Sequence, residues 1–539
     1  MNESTMIKSS VTINKDKING LMETVRNLYM ADDIPWVIGY SGGKDSTATL
    51  QLVWLALREL PKDKLKKVVH IINTDTMVES PVIEKWVERS LKMMDEASKQ
   101  IDTLVDSLFV THRLTPEYDQ TFWTNFIGRG YPFPRKKLRW CTDRLKIQPV
   151  NKFVKERIAE TGEIILVLGT RKAESTNRAR TMAYYEAKRV RELLSPNPTL
   201  ANELVFSPLE NWTNNDVWVF LMQYQNPWGL SNNELQTLYM SATEDRECPM
   251  MTEKNLPSCG QSRFGCWVCT MVAKDKSMEA MIANDDEKTW MTPLLEFRNR
   301  FGDEDRDRDR RSFKKLQGYL QGSYEQLHHG PYLKEWREQW LREILTKQLE
   351  INQEGPTEFA DYELITIQEL RCIRRIWVFE KHESLPKIYE EVMGKHFDDP
   401  EWIGSEAFGN VEWMLLGKTC DLVMNSTTYK ESEEAIALAR RGDASRLESL
   451  RDNTILEMMS SLIDVENRAM GLENRKNIID DLEKCIKRNF YENEEDATRY
   501  YRDQLQRKKD MGARYNEKFF VNVQEEGEEF DDIPEGAEE

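Results

Sequence analysis

Hydrophobic and polar positions follow two different patterns along the first 230 residues. Four apolar runs rich in β-branched side chains predict buried strands at residues 34–40, 67–73, 108–111 and 163–169. Between them, residues 46–59 repeat apolar side chains at helical spacing, and Pro81 suits the first turn of the next helix. Strands that alternate with helices predict an α/β fold with a doubly wound parallel sheet. Ligands of such sheets bind beyond the carboxyl ends of the strands.

The pattern changes along the chain and predicts five units. They are a helical lead-in, the α/β domain, a cysteine-rich segment, a mostly helical module and an acidic disordered tail, at residues 1–33, 34–230, 231–290, 291–515 and 516–539. A T-x-x-D sequence opens a predicted helix at residues 213–224. Amphipathic helices are predicted at residues 335–350 and 447–484. The alternating charges at residues 303–311 are typical of a solvated helix or linker.

Composition restricts the class of protein. Hydrophobic residues make up 40% and charged residues 31% of the chain, which is typical of a soluble globular protein. The formal net charge is -18, and residues 524–539 contribute nine acidic side chains and no Lys or Arg. No apolar run approaches the roughly 20 residues of a membrane helix, and the N-terminus has no secretory signal pattern. The sequence therefore predicts a cytoplasmic protein with no membrane partner.

The sequence SGGKDS at residues 41–46 lies between a predicted strand and a predicted helix. Two glycines allow a sharp turn whose N–H groups, with those of the helix N-terminus, point at an anion. Ser41 and Ser46 add hydroxyl donors, and Lys44 adds a positive charge. This is not a Walker A loop, because Ile38 stands where that motif needs Gly and Asp45 follows the Lys. The alternative is a Gly-Gly turn that only connects the two elements.

Four further side chains are candidates for the same site. Asp75 follows the second predicted strand, where a nucleotide contact or Mg²⁺ is expected, and its alternative is an Asx turn. Arg139, Arg171 and Arg178 suit bidentate contacts with phosphate, and their alternative is a role in surface solubility.

Cysteines cluster in a second region. Cys248, Cys259, Cys266 and Cys269 form C-x₁₀-C-x₆-C-x₂-C, which suits either Zn²⁺ or a [4Fe–4S] cluster. The spacing leaves both open, and inert thiols are the alternative. Cys141 stands apart in a basic stretch, so we expect a lowered thiol pKa and a capacity to carry sulfur as a persulfide. A packed cysteine in a phosphate-binding segment is an equal alternative.

Five motifs occur in the order typical of one enzyme family. They are SGGKDS, NTDTMVES, KLRWCTDRLKIQP, GTRKAESTNR and PLENWTNNDVW, at residues 41–46, 73–80, 137–149, 169–178 and 208–218. Together they resemble the PP-loop ATP pyrophosphatases, and within them the PAPS reductase branch. The resemblance implies cleavage of ATP between its α- and β-phosphates. It also implies catalytic roles for Ser41, Lys44, Asp45, Cys141 and Arg171. The implied nucleotide contacts are Ser41, Gly42, Gly43, Lys44, Asp45, Ser46, Asp75, Arg139, Gly169, Arg171 and Arg178.

The cysteine spacing and the long helical extension narrow the resemblance. They are similar to the DndC family, the sulfurtransferase-type component of bacterial DNA phosphorothioation systems. That similarity implies a [4Fe–4S] cluster on the four clustered cysteines, with ATP and Mg²⁺ as further cofactors. The implied partners are DNA, a cysteine desulfurase, an SMC-like ATPase and a small DNA-binding subunit. The implied reaction is adenylation of a DNA backbone phosphate for sulfur insertion.

Two other functions stay open at the sequence level. One is a PP-loop sulfurtransferase that acts on tRNA or a small molecule, and the other is a non-catalytic nucleotide-binding scaffold. For DNA, a net charge of -18 predicts weak binding without partners and requires a local basic patch. The candidate patch is Arg135, Lys136, Lys137, Arg139, Arg171, Lys172 and Arg178.

Overall fold

Six strands form one sheet in the computed structural model of the chain, in the order β3-β2-β1-β4-β6-β5. The structure describes residues 13–135, 138–197, 200, 202–243, 264–272, 274–301, 307–316, 318–381, 383, 387–397, 482, 491 and 494–516. The strands are β1 (Trp36–Gly39), β2 (Val69–Thr74), β3 (Phe109–Leu114), β4 (Ile164–Val167), β5 (Ser195–Pro196) and β6 (Glu203–Phe206). Neighbouring strands pair in parallel, except that β5 runs antiparallel to β6.

Helices connect the strands and continue beyond the sheet. Within residues 13–301 they are α1 (Lys15–Met30), α2 (Lys44–Leu57), α3 (Pro81–Ser98), α4 (Trp140–Thr142), α5 (Gln148–Thr161), α6 (Thr176–Glu186), α7 (Asn214–Gln223), α8 (Asn232–Ser241), α9 (Lys276–Asn284) and α10 (Thr292–Phe301). A π-helical turn, Asp143–Ile147, joins α4 to α5. The later helices are Lys334–Glu354, Ile367–Arg375, Ile388–Met393 and Glu494–Asn516.

The sheet is covered on both faces, as a doubly wound fold requires. One face packs with α1, α2, α3, α7 and α8 into the larger core, which includes Trp36, Trp54 and Trp218. The opposite face packs against α5, where Val37 and Leu166 meet Phe153. The central strands β1 and β4 lie almost entirely out of solvent, and their sequences are continuous apolar runs rather than alternating ones.

A second core joins the helical region to the α/β domain. The indole N–H of Trp123 donates to the carbonyl of Leu364 at 2.7 Å, and that of Trp377 donates to Ile127 at 3.1 Å. The ring of Trp123 also lies 5.9 Å from that of Trp267, next to the clustered cysteines. Aromatic packing of this kind adds stability beyond burial alone. The cysteine-rich turn is therefore held between the two regions.

The structure confirms the α/β sheet and the four strands predicted from sequence. It also confirms the capping box at Thr213 and Asp216, and the amphipathic helix, now Lys334–Glu354. Strands β5 and β6 were not predicted, because β5 has two residues and β6 begins with a charged side chain. Residues 447–484 fall almost wholly outside the described residues and the acidic tail wholly so. Among those described, no helix has the length and apolar character needed to cross a membrane.

One sequence interpretation is wrong at a single position. Of residues 303–311, which were expected to be solvated, the structure describes 307–311, where Asp309 is exposed but Asp307 is only 4% exposed. Its carboxylate accepts from Arg135 at 2.5 Å and pairs with Arg311 at 3.0 Å, while Tyr332 donates to its other oxygen. Asp307 is therefore buried with cationic partners, which a pattern of charges alone does not reveal.

Candidate functional site

The loop between β1 and α2 has the geometry of an anion cradle. Gly42 adopts φ +75°, a left-handed conformation that favours glycine, and a Cβ there would lie 2.5 Å from the Val87 side chain. Its carbonyl accepts the indole N–H of Trp86 at 3.1 Å. Gly43 follows in extended conformation as the N-cap of α2. The first N–H groups of a buried helix thus face the cleft at the carboxyl edge of the sheet.

Hydroxyl groups hold this loop in shape. The Ser46 Oγ accepts the N–H of Ser41 at 3.2 Å and donates to the carbonyl of Gly43 at 3.0 Å. The two serine hydroxyls are themselves 3.2 Å apart. Both serines line the cleft. The hydroxyls that the sequence assigned to phosphate binding therefore also fix the turn.

Three charged side chains meet at the start of α2. The Asp45 carboxylate lies 2.9 Å from the Lys44 ammonium and 2.7 Å from the Arg171 guanidinium. Arg171 is 3% exposed and also donates to the carbonyl of Trp212 at 3.3 Å. Gly169 lets the end of β4 approach this helix, since a Cβ there would lie 2.8 Å from the Asp45 carbonyl oxygen. Asp45 therefore positions two cations beside the anion cradle.

Tyr239 reaches this cradle from α8. Its hydroxyl oxygen accepts the N–H of Lys44 at 3.2 Å, and its ring centre lies 5.6 Å from the Lys44 ammonium. Burial raises the pKa of Tyr239, so the hydroxyl keeps its proton and can donate into the cleft that it lines. The other side of the ring packs on Phe264 at 4.7 Å. No local sequence signal singled out Tyr239, which is about 200 residues from the loop.

A cleft of about 1220 Å³ opens from the loop in two directions. Towards β2 and β3 it is lined by Asn73, Asp75 and Arg113. Asp75 accepts the N–H of Met77 at 2.8 Å, which is an Asx turn, and its other oxygen accepts from Arg113 at 2.7 Å. Asp75 thus makes the turn and also lines the cleft. The second direction runs along β4 and β6 past Arg178, which pairs with Glu174 at 2.8 Å.

The C-x-x-C turn packs against the end of β2. The N–H of Trp267 donates to the carbonyl of Val78 at 3.0 Å, and the Cys266 sulfur lies 3.3 Å from the Thr76 hydroxyl. On the other side, Arg298 donates twice to the carbonyl of Cys269, at 2.8 and 3.0 Å. Cys266 and Cys269 are thereby fixed beside the nucleotide cleft.

Lys146 connects the cleft with the cysteines. It lines the cleft, and the thiols of Cys266, Cys141 and Cys269 together with the Glu79 carboxyl raise its pKa. The largest contribution comes from Cys266, followed by Glu79. The sequence placed Cys141 apart from the cluster, whereas the structure brings it beside the C-x-x-C turn. Lys146 lay within a motif already singled out, but its position among the thiols depends on the tertiary structure.

The prediction of a lowered thiol pKa at Cys141 is wrong. Burial raises the pKa of Cys141, with a further rise from Cys269, and Lys146 only partly opposes this. Burial likewise raises the pKa of Cys266 to about 12. Of the basic neighbours that the structure describes, Arg135 is paired with Asp307 and Arg139 is exposed.

The remaining sequence candidates are placed as follows. Arg139 does not line the cleft, in contrast to Arg171 and Arg178. Within the proposed basic patch, Arg171, Arg178 and Lys172 are each paired with a carboxylate, Lys172 with Glu186 at 2.7 Å. Lys136, Lys137, Cys248 and Cys259 lie outside the described residues.

The donor chemistry of the cysteine region fits thiolate ligation of a metal. Cys141, Cys266 and Cys269 converge on Lys146, whose charge would stabilise an anionic thiolate centre. Within the part of the chain that the structure describes, no group of three or more His, Cys, Asp or Glu side chains is arranged to hold a metal ion.

Comparisons with known proteins find similarity in the part of the chain that contains the cleft. Residues 35–271 match the model of the phosphoadenosine phosphosulfate reductase domain. The chain is 26% identical over 204 residues to the uncharacterized protein MJ0066 of Methanocaldococcus jannaschii, an alignment that covers 38% of this chain. The aligned part of this chain covers only about a third (35%) of the length of that relative.

Solved structures with some similarity include two nucleotide-processing enzymes. PAPS reductase from Candida auris, in a phosphate complex, has 12% identity and a TM-score of 0.23, covering 40% of this chain and 88% of that one. FMN adenylyltransferase from Candida glabrata, with FAD and inorganic pyrophosphate, has 13% identity and a TM-score of 0.25, covering 46% and 72%. The family match includes the anion cradle, the Asp45–Arg171 pair and the C-x-x-C turn, so residues 35–271 of this chain form a PAPS reductase-like domain.

Proposed function

We propose that this chain is an ATP pyrophosphatase that adenylates a DNA backbone phosphate for sulfur insertion, the sulfurtransferase step of DNA phosphorothioation. One observation carries the proposal: the cleft that starts at the anion cradle reaches Lys146, which lies among Cys141, Cys266 and Cys269. Phosphate activation and sulfur chemistry would share a single cleft. The choice of DNA as acceptor is supported by the resemblance to the DndC family.

The chain's residues would act by positioning and charge neutralisation. The N-terminus of α2, the Lys44 ammonium and the Tyr239 hydroxyl would hold the β- and γ-phosphates. Arg171, kept in place by Asp45, would face the charge that develops on the α-phosphate. Mg²⁺ commonly binds one or two carboxylates together with phosphate oxygens, so Asp75 is the candidate protein ligand.

The proposed reaction is balanced without a change of oxidation state. A non-bridging oxygen of the DNA phosphate attacks the α-phosphorus, the bond between the α-phosphorus and its bridging oxygen breaks, and pyrophosphate leaves. A sulfur nucleophile at the oxidation level of sulfide then attacks the DNA phosphorus. The bond to the adenylated oxygen breaks, AMP leaves with the electron pair, and sulfur replaces oxygen.

The test uses ATP labelled at the α-phosphorus, with the partner subunits and either duplex DNA or tRNA. We expect AMP and pyrophosphate as products, and transient label on DNA when the sulfur donor is omitted. Asp45→Asn should abolish both, while Asp63→Asn, at an exposed site in the same domain, should not. Label on tRNA would favour the alternative sulfurtransferase. Release of ADP and orthophosphate, or no turnover, would refute the proposed reaction.

We also propose a [4Fe–4S] cluster on the four clustered cysteines Cys248, Cys259, Cys266 and Cys269. When bound, such a cluster supplies an electron-transfer or sulfur-binding iron centre. Anaerobically purified protein should contain roughly four irons per chain. Replacing any one of these four cysteines by serine should remove the iron, whereas Cys141→Ser should leave it in place. Stoichiometric zinc without iron would contradict the proposal.

A further inference from the structure

The second direction of the cleft, which we call the β6 arm, runs between the sheet and α6. Its floor includes Leu166 and Val205, on the sheet face opposite the larger core. Its roof includes Met182 and Tyr185 of α6. Although α6 lies above the sheet, none of its residues is buried. Because no side chain of α6 is fully buried, a slot remains between this helix and the sheet, with Tyr185 as an aromatic wall, aliphatic side chains on the floor and charged side chains at its rim.

A buried carboxyl group lines this arm. Glu203 is 2% exposed, and one of its oxygens accepts from the Asn197 amide at 2.9 Å. In the described part of the chain, no Lys or Arg pairs with Glu203, and burial raises its pKa to about 7. A carboxylate can accept about four hydrogen bonds, and leaving that capacity unused when buried is costly. Glu203 is therefore suited to a ligand that presents N–H donors.

ATP does not require the β6 arm. With its phosphates in the anion cradle, the nucleoside can extend in one direction only. Asn73 and Asp75 line the other direction, at the carboxyl ends of the strands, where nucleotides bind in this fold class. The whole cleft, about 1220 Å³, also exceeds the roughly 300–1,000 Å³ of a site for one small ligand. A second substrate therefore has room beside ATP.

We propose that the β6 arm binds a nucleobase extruded from the nucleic acid whose phosphate is adenylated, with Glu203 accepting N–H groups of the base. This rests on the proposed function. A stacked duplex cannot enter a slot of this kind, whereas a single base can, and the energy of unstacking is a few kcal/mol. Guanine should bind best, because its N1–H and N2–H groups are adjacent donors for one carboxylate. The ring of Tyr185 offers a surface for stacking.

The first test measures base binding without turnover. Protein saturated with the non-cleavable ATP analogue AMPCPP is titrated with the four deoxynucleoside monophosphates, followed by saturation-transfer NMR. We expect dGMP to bind at least tenfold more tightly than dTMP. Met182→Trp should abolish this binding by filling the arm, and Glu203→Gln should remove the preference for dGMP. Tyr184→Trp, on the outer side of the same helix, and Glu163→Gln, exposed before β4, are the matched controls.

The second test separates this inference from the proposed function. In the labelled-ATP assay with DNA, Met182→Trp should lower AMP transfer at least tenfold, while its affinity for AMPCPP stays within twofold of wild type. If wild-type protein binds none of the four nucleotides, or if Met182→Trp binds and transfers as wild type does, the inference is overturned. If dGMP binding behaves as expected but no AMP reaches DNA, the base site stands and the proposed reaction fails.

Discussion

Replacing the two glycines of the anion cradle by alanine should affect different properties. The change at Gly42 should mainly lower stability, and the change at Gly43 should mainly weaken anion binding. Gly42 has φ +75°, which costs a non-glycine residue about 1–2 kcal/mol, and its new Cβ would lie 2.5 Å from Val87. Overpacking of that kind adds about 1–3 kcal/mol. Gly42→Ala should therefore destabilise the α/β domain by about 2–5 kcal/mol and lower its Tm by about 4–20 °C.

Gly43→Ala should instead leave the fold almost intact. Gly43 has φ -82° and ψ 167°, which alanine adopts freely, and its Cβ would meet only the Tyr239 and Ser41 hydroxyls at 3.3 and 3.5 Å. The expected cost is about 1 kcal/mol, mainly from the weaker N-cap. Its methyl group stands among the anion donors, so pyrophosphate affinity should fall.

Thermal unfolding followed by tryptophan fluorescence, together with calorimetric titration with pyrophosphate, measures both effects. Each alanine adds a single methyl group at adjacent positions, so the two variants serve as controls for each other. The reasoning is refuted if Gly42→Ala melts at the wild-type temperature. It is equally refuted if Gly43→Ala loses as much stability as Gly42→Ala, or binds pyrophosphate as wild type does.

Three further outcomes are expected. Tyr239→Phe should weaken pyrophosphate binding by about tenfold to a hundredfold, the value of a hydrogen bond to a charged group, whereas Tyr224→Phe should not. Burial, with His112 and Arg157 nearby, lowers the pKa of His70 to about 4 from its usual 6.5, so folding keeps it neutral. The contribution of His70 to the free energy of unfolding is therefore fully present above pH 6.5 and is lost as the pH drops towards 4. The slope of the free energy of unfolding against pH should be below about 1.4 kcal/mol per pH unit. In denaturant titrations, His70→Gln should make this slope smaller. Thr213→Ala, which removes the capping box on α7, should destabilise the domain by about 1 kcal/mol in the same titrations.

The sequence by itself determined the sheet and the anion cradle. Runs such as residues 34–40 are apolar throughout because parallel strands are buried on both faces, and that signal is local. The glycines and Lys44 are recognisable for the same reason, since the turn, the helix N-terminus and their anion all lie within a few consecutive residues. The capping box at Thr213 is a third signal of this kind.

Only the tertiary structure decided how distant side chains combine. Tyr239 reaches the cradle from α8, and no spacing in the chain records that approach, whereas Arg171 was recognisable from its motif but its contact with Asp45 was not. The charge environment of Cys141 was misjudged because neighbours in sequence, such as Arg135, are paired elsewhere, while burial governs the thiol pKa. Glu203 gave no signal either, since one acidic residue in a short strand becomes distinctive only when the fold removes it from water with no cationic partner among the described residues.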